Sequence, residues 1–534
     1  MNRLKQRIPS LKYRPWARIA PVPFPASGKS KHQPRAVRAT RIAPLSLGVA
    51  ALLAFLPGTL LAEPASEPPN ILLIMADDFG PQMGAYGDPN DVTPNLDRLA
   101  ASGAHFRNAH VTAASCSPSR GSMFTGLYPH QHGMFGLSQQ GWSEMHPDVP
   151  MLPNALKELG YRTAIIGKTH FQPFERFDWD YVGHDPQKLY RDRDVRWMNR
   201  EAADWIRENR DKGPLFLVMS YVDPHRGGVS GTYGPNRNIL FPRSKLGLPE
   251  NPIPPEETQP IPFLEVDGET VRRENSDYYA AVQRLDTGVG EFIETLDDLL
   301  DPENTLVTFT GDHGPDVTRG KIAVYATATH VPLILRWPAT IEAGQVRDEL
   351  VSTVDLFPTF LDAAGSETTR IDDRQTGRSL LELFPEPPPD WRQYLFTEFI
   401  THVPWHFYPR YAVIDGDFQY IHNLFGGKRE NPLGPTNYCE AWHVATAPRF
   451  SEPDVAAAYA RVDNPPHHEL FDLRSDPHLM DNLADDPANA PKLRELSDAV
   501  KTWREETKDP FLNPAFRDAF EAKTKAMLEE YRNR

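Results

Sequence analysis

The stretch NILLIMADD, residues 70–78, decides the fold of this 534-residue chain. Its apolar run from Ile71 to Ala76 has the length and composition of a strand that is buried on both faces. Four further runs of this kind follow, separated by helix-like segments such as NALKELG and DYYAAVQRLDTGVGEFIETLDDLL. They are YRTAIIG (161–167), PLFLVMSYV (214–222), NTLVTFT (304–310) and VPLILRWP (331–338). Buried strands that alternate with helices predict the α/β class, with a mostly parallel sheet between layers of helices.

Changes in composition along the chain predict three regions. Residues 1–62 form a basic leader, and residues 63–385 form the α/β domain that we expect to carry the functional site. Residues 386–534 are predicted to form a smaller C-terminal α+β subdomain, because aromatic-rich runs such as QYLFTEFI replace the earlier pattern. The segment 227–275 is rich in Pro and Gly with little periodicity, which predicts a long functional loop.

The leader predicts export. It contains eleven Lys or Arg residues and no acidic residue, and it ends in the apolar run APLSLGVAALLAFLPGTLLA, residues 43–62. That run is short for a membrane span and is interrupted by proline, so it indicates a signal peptide that is cleaved after Ala62. We therefore expect a periplasmic or secreted protein with no membrane span.

The charge balance excludes one class of partner. The chain has 57 basic and 72 acidic residues, and without the leader 46 basic residues remain. A protein that binds nucleic acid presents a dominant basic face, so we expect no nucleic-acid partner. An anionic substrate would have to be held by local cations.

Polar residues follow four of the predicted strands at the point where each strand ends. The clusters are Asp77-Asp78, Lys168-Thr169-His170, Asp223-Pro224-His225-Arg226 and Gly311-Asp312-His313. Ligands of open parallel sheets bind beyond the carboxyl ends of the strands, so we expect these clusters to converge. Crowded carboxylates repel one another unless a cation neutralises them, and hard oxygen ligands favour Ca²⁺ or Mg²⁺. Taken singly, each cluster also fits a helix cap or an ordinary turn.

The stretch ASCSPSRGSMFTG, residues 114–126, contains Cys116, one of only two cysteines. It resembles at every position the signature of the sulfatase family, in which Cys-x-Pro-x-Arg directs oxidation of the cysteine to formylglycine. Other segments resemble landmarks of that family in their usual order: NILLIMADD, TPNLDRLAASG, GDHG, VDLFPTFLD, TGRSLL and HELFDLRSDPHLMDNLADDP. The alternatives for Cys116 are an inert buried thiol or a disulfide with Cys439.

The resemblance implies an alkaline-phosphatase-like fold and a formylglycine-dependent sulfatase. A formylglycine-generating or equivalent maturation enzyme would convert Cys116 to an aldehyde, and the hydrated aldehyde would attack the sulfur of the substrate beside a metal ion. A helix that starts near Pro118 would place this nucleophile at a positive helix end. Arg120 would steady the hydrate.

The remaining site residues are carried over by motif match. The predicted metal ligands are Asp77, Asp78, Cys116, Asp312 and His313. The residues expected to bind sulfate oxygens and to transfer protons are Lys168, His170, His225 and Lys321, with His225 or Lys321 as the acid that protonates the leaving group. The predicted substrate-binding residues are Asp223, Arg226, His402 and Arg410. One divalent cation is expected, Ca²⁺ or alternatively Mn²⁺, because His313 stands where many sulfatases carry Asn and imidazole is the softer ligand.

Within the family, the chain most resembles the N-sulfoglucosamine sulfohydrolase subgroup, the heparan N-sulfatases. The segments that carry this likeness are SCSPSRGSMFTGLYPHQHGMFGL, VDPHRGG, GQVRDELVSTVDLFPTFLD and WREETKDPF. The implied substrate is a sulfated sugar or a glycosaminoglycan-like saccharide, with N-sulfate and O-sulfate both left open, because Lys321 stands where the subgroup carries arginine.

Two other functions remain open at this point. The Asp312-His313 pair also resembles the phosphonate monoester and phosphodiester hydrolases of the same superfamily, which makes that activity the alternative. A catalytically silent glycan-binding relative would need no aldehyde. The sequence also leaves open whether two subunits pair as a homodimer.

Overall fold

The computed structural model describes residues 68–183, 193–226, 253–428 and 439–533, which all belong to one compact unit, Glu67–Arg534. The strands of this described part are β1 (Asn70–Asp77), β2 (Ala104–His110), β3 (Arg162–Gly167), β4 (Tyr181–Gly183), β5 (Leu215–Pro224), β6 (Thr305–Gly311), β7 (Leu333–Arg336), β8 (Gln345–Ser352), β9 (Leu395–Phe399), β10 (Arg410–Ile414), β11 (Phe418–Asn423) and β12 (His468–Asp472). The helices are α1 (Pro94–Ala101), α2 (Cys116–Thr125), α3 (Pro129–His132), α4 (Leu152–Glu158), α5 (Val195–Asn209), α6 (Glu269–Leu299), α7 (Ala326–Thr329), α8 (Leu356–Ala363), α9 (Glu440–Ala445), α10 (Pro453–Asp463), α11 (Ala490–Glu506) and α12 (Pro514–Arg532). The predicted leader, residues 1–62, lies outside these ranges.

The large sheet has the strand order β4-β3-β5-β1-β6-β7-β2-β8. Strands β4, β3, β5, β1 and β6 pair in parallel, and β7 runs antiparallel to both β6 and β2. This confirms the predicted α/β class and all five strands read from the apolar runs. The sequence analysis missed β2, β4 and β8, because these strands carry too few apolar residues to stand out.

Strand β1 lies in the middle of the sheet and buries both of its faces. Its residues Leu72, Ile74 and Ala76 pack into the core on the side of α1, α5 and α6. Ile71, Leu73 and Met75 pack into a second core on the side of α2, α4 and α8. Successive side chains of a strand point to opposite faces, so a strand between two helix layers must be apolar at every position.

The prediction of a long loop over residues 227–275 is wrong at the C-terminal end of that segment. Helix α6 begins at Glu269, so Asn275 lies inside a helix, and residues 227–252 of the predicted loop lie outside the described ranges. The first turns of α6 are held by a buried face, in which the Asn275 side chain accepts a hydrogen bond from the Ile261 amide at 2.7 Å. This buried face is not apparent from the sequence ETVRRENS, because its buried positions include the polar residues Asn275 and Ser276.

A second, antiparallel sheet of order β12-β11-β10-β9 packs against α11. It lies within residues 386–534, where the small α+β part was predicted. The boundary between residues 385 and 386 stays a prediction, since Glu67–Arg534 forms one compact unit. Across the described ranges, no helix is both long enough and apolar enough to cross a membrane.

A buried ion pair joins the small sheet to α3. The Glu398 carboxylate of β9 accepts hydrogen bonds from the His130 amide at 2.7 Å and from its Nδ1 at 2.8 Å, and both side chains are fully buried. Burial by itself lowers the pKa of His130, but the Glu398 carboxylate outweighs it, so the net pKa lies above 6.5.

Glu398→Gln is expected to lower the free energy of unfolding by about 2–4 kcal/mol, because it removes one partner of a buried ion pair. A raised His130 pKa means that the pair stabilises the protein fully below pH 6.5 and loses its contribution as the pH rises through the folded-state pKa. The difference in melting temperature between wild type and variant should therefore shrink from pH 6 to pH 9. Glu495→Gln, at an exposed position paired with Lys492, is the control. A difference that grows with pH would contradict this account of the pair.

Candidate active site

The predicted clusters meet at the carboxyl edge of the large sheet. Strands β3, β5, β1 and β6 are neighbours and parallel, so the residues that follow them lie side by side. Ligand atoms of Asp77, Cys116, Asp312 and His313 all lie within 4.8 Å of one another. An overlapping set with the same spacing consists of Asp77, Asp78, Cys116 and His225. The geometry thus gathers all five predicted metal ligands.

Close backbone approach between β1 and β6 shapes the floor of the site. The Asp312 amide donates to the Ala76 carbonyl at 2.9 Å, and the Asp78 amide donates to Asp312 Oδ1 at 2.9 Å. A Cβ atom on Gly311 would lie 1.9 Å from the Phe79 carbonyl oxygen, so only glycine allows this approach. Asp78 itself adopts a left-handed backbone with φ of 62°, which turns its side chain towards the cluster.

Cys116 is the first residue of α2, two residues earlier than the start predicted near Pro118. Ser115 precedes it in an extended conformation, and Pro118 falls within the first turn, where its missing N–H costs no hydrogen bond. The thiol lies 3.3 Å from His313 Nε2 at the positive end of the helix. Both cysteines are free and buried, so the alternative of a disulfide with Cys439 is wrong.

Three cations neutralise the three buried aspartates. Arg120 donates from Nε to Asp312 Oδ2 at 2.9 Å, and its Nη2 lies 3.7 Å from Asp77 Oδ1. Lys321 donates to Asp78 Oδ1 at 2.7 Å, and Lys168 donates to Asp77 Oδ2.

The pKa shifts follow from these pairs. Burial raises the pKa of Asp77, but the charges of Lys168 and Arg120 outweigh it and hold that pKa well below its ordinary value. Burial lowers the pKa of Lys321, but Asp78 together with the neighbouring acidic groups raises it by more, so this ammonium stays charged. Asp77 and Lys321 are therefore both ionised.

The donor set fits a divalent cation. Asp77 Oδ1 and Asp78 Oδ2 are buried and have no hydrogen-bond partner among the described residues. A buried carboxylate oxygen without a partner is costly unless a cation binds it. Carboxylate oxygens suit Ca²⁺ or Mg²⁺, and the His313 imidazole also admits Mn²⁺.

His313 must lose a proton before it can bind an ion. Burial lowers its pKa, but Asp312 and Cys116 raise it to about 9. A metal-bound imidazole is neutral, so the cation and the proton compete for His313.

Two histidines face the cluster from β3 and β5. Both ring nitrogens of His170 are buried without a hydrogen-bond partner in the described part of the chain. Burial, and next the Lys168 charge, hold its pKa well below 6.5, so the ring is neutral. His225 donates from Nδ1 to the Arg226 carbonyl oxygen at 2.5 Å, and burial lowers its pKa to about 3. Its Nε2, 3.8 Å from Asp78 Oδ2, therefore carries the lone pair.

The four predicted substrate-binding residues divide into two groups. His402 lies beside the cluster, where Ser115 Oγ and His402 Nδ1 are hydrogen-bonded at 2.9 Å. The carboxylate of Asp223 is instead engaged by Arg193 at 2.9 Å and Arg284 at 2.8 Å.

Arg226 and Arg410 also have structural partners. The Arg226 guanidinium donates to Glu274 at 2.8 Å and to the Asp316 carbonyl at 2.8 Å. Arg410 lies in the small sheet, and its guanidinium is 5.0 Å from the centre of the Tyr408 ring. Asp223, Arg226 and Arg410 are all buried, and their contact with substrate stays a prediction.

Sequence analysis missed two supporting residues. Ser220 in β5 accepts a hydrogen bond from Arg120 Nη1 at 2.6 Å, and its polarity inside the run PLFLVMSYV was a usable signal. Arg193 donates to the His225 carbonyl at 2.9 Å as well as to Asp223. Nothing local in the sequence marks Arg193, because its partners are contributed by a distant strand end.

Comparison with known proteins agrees with this geometry. A model of the sulfatase family matches residues 69–366, and a model described as N-sulphoglucosamine sulphohydrolase, C-terminal, matches residues 314–429. The chain is 33 % identical over 473 residues to human N-sulphoglucosamine sulphohydrolase, covering 84 % of this chain and 92 % of that protein.

Solved structures share the fold. A sulfatase candidate from Bacteroides thetaiotaomicron superposes with a TM-score of 0.62 at 22 % identity, covering 84 % of this chain and 96 % of that one. The phosphonate monoester hydrolase of Agrobacterium radiobacter superposes with a TM-score of 0.56 at 19 % identity, covering 82 % and 96 %. The fold is alkaline-phosphatase-like, as predicted. The match of a family model to more than half of the chain, together with the human relative, shows that this protein belongs to the sulfatase family and is a sulfuric ester hydrolase or sulfamidase.

Proposed function

We propose that the protein removes the sulfate group from an N-sulfated glucosamine residue of a glycosaminoglycan-like saccharide and depends on formylglycine at position 116. The observation that carries the proposal is the position of Cys116, buried at the start of α2 with its sulfur among ligand atoms of Asp77, Asp312 and His313. The choice of N-sulfate is supported by the 33 % identity to human N-sulphoglucosamine sulphohydrolase and by the matching C-terminal region. The basic leader supports export to the periplasm or beyond, with oxidation of Cys116 by a maturation enzyme.

The site residues would hold a divalent cation and the oxidised side chain. When present, the cation supplies a Lewis acid, and the hydrated aldehyde supplies the nucleophilic oxygen. Asp77, Asp78, Asp312 and His313 would bind the cation. Arg120 keeps Asp312 and Asp77 in place and lies one helical turn from position 116.

The tetrahedral sulfate is bound by groups that line the other side of the cluster. Lys168 supplies a charge, and the free ring nitrogens of neutral His170 supply a hydrogen bond to a sulfate oxygen. Negative charge that develops on these oxygens is stabilised by fixed donors in a site that excludes water.

Proton donation to the leaving nitrogen is assigned to Lys321. His225 Nε2 carries a lone pair, because Nδ1 holds the proton against the Arg226 carbonyl, so neutral His225 can accept a proton but not donate one from Nε2. Lys321 has further N–H donors beyond the one that binds Asp78. An amine anion is a poor leaving group, so this proton is required for a sulfamate.

Turnover of a matched set of substrates tests the function. Wild type from its native host should hydrolyse glucosamine N-sulfate faster than glucosamine O-sulfates, an aryl sulfate or an aryl phosphonate ester. Cys116→Ala should lose at least about 10³-fold of the activity, since the nucleophile is absent. Faster turnover of the phosphonate ester would favour the alternative hydrolase, and an unmodified thiol in the mass spectrum of the peptide that contains residue 116 would favour a silent glycan-binding protein.

Asp77→Asn should weaken binding of the divalent cation by at least about tenfold, because it removes a charged ligand from the cluster. The measurement is the metal content after dialysis, followed by titration with Ca²⁺ and Mn²⁺. Asp204→Asn, which changes an exposed aspartate paired with Arg207, is the control. Retention of one tightly bound ion per chain in Asp77→Asn would exclude the proposed ligand set.

Lys321→Met should reduce kcat at least about tenfold more for glucosamine N-sulfate than for an aryl sulfate, because only the amine needs a proton to leave. The two kcat values are compared in one preparation, so that differences in folding cancel. Lys157→Met, which breaks a surface pair with Asp178, is the control. Equal losses on both substrates would assign Lys321 to binding rather than to proton donation.

A further inference from the structure

A line of apolar side chains runs from the nucleophile position to the protein surface. Cys116, Leu137 and Val403 form one cluster and are 1 %, 5 % and 8 % exposed. The indole rings of Trp142 and Trp405 pack on the outer side of this cluster.

Tyr531 of α12 completes this line at the surface. Its ring centre lies 5.4 Å from that of Trp405 and 6.2 Å from that of Trp142, and the residue is 40 % exposed. We call Trp142, Trp405 and Tyr531 the aromatic wall. Exposure rises outward along it, so it forms a surface beside the site and not a closed core.

The three rings of the aromatic wall pack against one another. Trp405 and Tyr531 are inclined to each other by 31°, so their faces point in similar directions. Trp142 meets Trp405 edge to face, with centroids 5.5 Å apart and planes at 74°. Such an edge-to-face contact fixes the Trp405 ring at little cost in side-chain entropy.

A crevice lies beside the aromatic wall and shares Trp142 with it. Its lining includes Trp142, His402, Val403 and, from α12, Lys523 and Thr524. His402 also hydrogen-bonds to Ser115, the neighbour of Cys116, so one side chain belongs both to the crevice and to the site.

The chemistry of this crevice selects its occupant. A pyranose ring has an apolar C–H face, which packs on an indole or phenol ring, and hydroxyl groups at its edge, which suit His402 and Thr524. Lys523 adds positive charge in a chain of net charge −15, which favours an anionic saccharide.

We propose that the aromatic wall binds the sugar ring linked to the sulfated residue, with Trp405 as the stacking platform. This inference rests on the proposed sulfatase function and assigns the residues that distinguish a disaccharide from a monosaccharide. The sulfated ring occupies the cation-rich cluster, and the linked ring lies against Trp405 and Tyr531.

The test compares two substrates that share one sulfated residue, glucosamine N-sulfate and a disaccharide that carries it. Trp405→Ala should lower kcat/KM for the disaccharide about tenfold and leave that for the monosaccharide within about twofold. Trp405→Phe should restore most of the loss, because it keeps an aromatic face. Tyr531→Ala should show a smaller loss in the same direction, and Leu512→Ala, at another exposed apolar position, should show none.

Loss of stability would point to a different role. If Trp405→Ala and Tyr531→Ala lower the melting temperature and reduce turnover of both substrates equally, the aromatic wall only anchors α12, and the proposal is overturned.

A binding measurement separates this inference from the proposed function. In Cys116→Ala, titration with the disaccharide should change the tryptophan fluorescence, and Trp405→Phe in that background should reduce the change. If wild type hydrolyses no sulfated sugar but this fluorescence change occurs, the function is wrong and the aromatic wall is right. If no change occurs at saturating disaccharide, the aromatic wall does not bind it.

Discussion

The burial of three aspartates at the ends of two adjacent parallel strands is the constraint on which the rest of the site depends. Asp77, Asp78 and Asp312 are fully buried, and each ion costs several kcal/mol to desolvate unless it is paired. Lys168, Arg120 and Lys321 provide the pairing, each from a different segment of the chain. The fold must therefore bring these segments together before the strand ends can be buried at all.

Arg120 shows how this constraint links catalysis to architecture. It sits within α2, and its guanidinium reaches β6 through Asp312, β5 through Ser220 and the end of β3 through the Lys168 carbonyl. These hydrogen bonds orient the start of α2, and with it Cys116, relative to the edge of the sheet. Asp77 Oδ1 and Asp78 Oδ2 have no hydrogen-bond partner in the described part of the chain, and a bound cation would satisfy both oxygens. The charged residues that fix the position of α2 are therefore among those that lie close to Cys116.

Much of this could be predicted from sequence, for a physical reason. The apolar runs mark the strands, and parallel topology forces the residues after Ala76, Gly167 and Thr310 to one edge. The sequence signature around Cys116 predicts that the nucleophile lies there as well.

Residues whose partners lie far away in the chain were beyond prediction. The start of α6 depends on the hydrogen bond between Asn275 and Ile261. Asp223 was predicted to bind substrate because Arg193 and Arg284 become its neighbours only in the folded chain. An aspartate in a buried ion pair and an aspartate that binds substrate look identical in a sequence. Only their neighbours in the folded structure distinguish them.

In the proposed function, the residues that carry out the reaction differ from those that select the sugar. In that proposal, the cluster at the strand ends binds the sulfate oxygens, whose contacts are the same for a sulfate on nitrogen or on oxygen, and only the proton from Lys321 depends on the leaving atom. Selection between sugars then has to come from side chains beyond the sulfur atom, for which we propose His402, Trp405 and Tyr531. The buried His130–Glu398 pair connects β9 to α3, whereas the hydrogen bond between Ser115 and His402 connects the sugar-facing side to the residue before Cys116, so a substitution at His402 reaches the reaction centre more directly than one at Trp405.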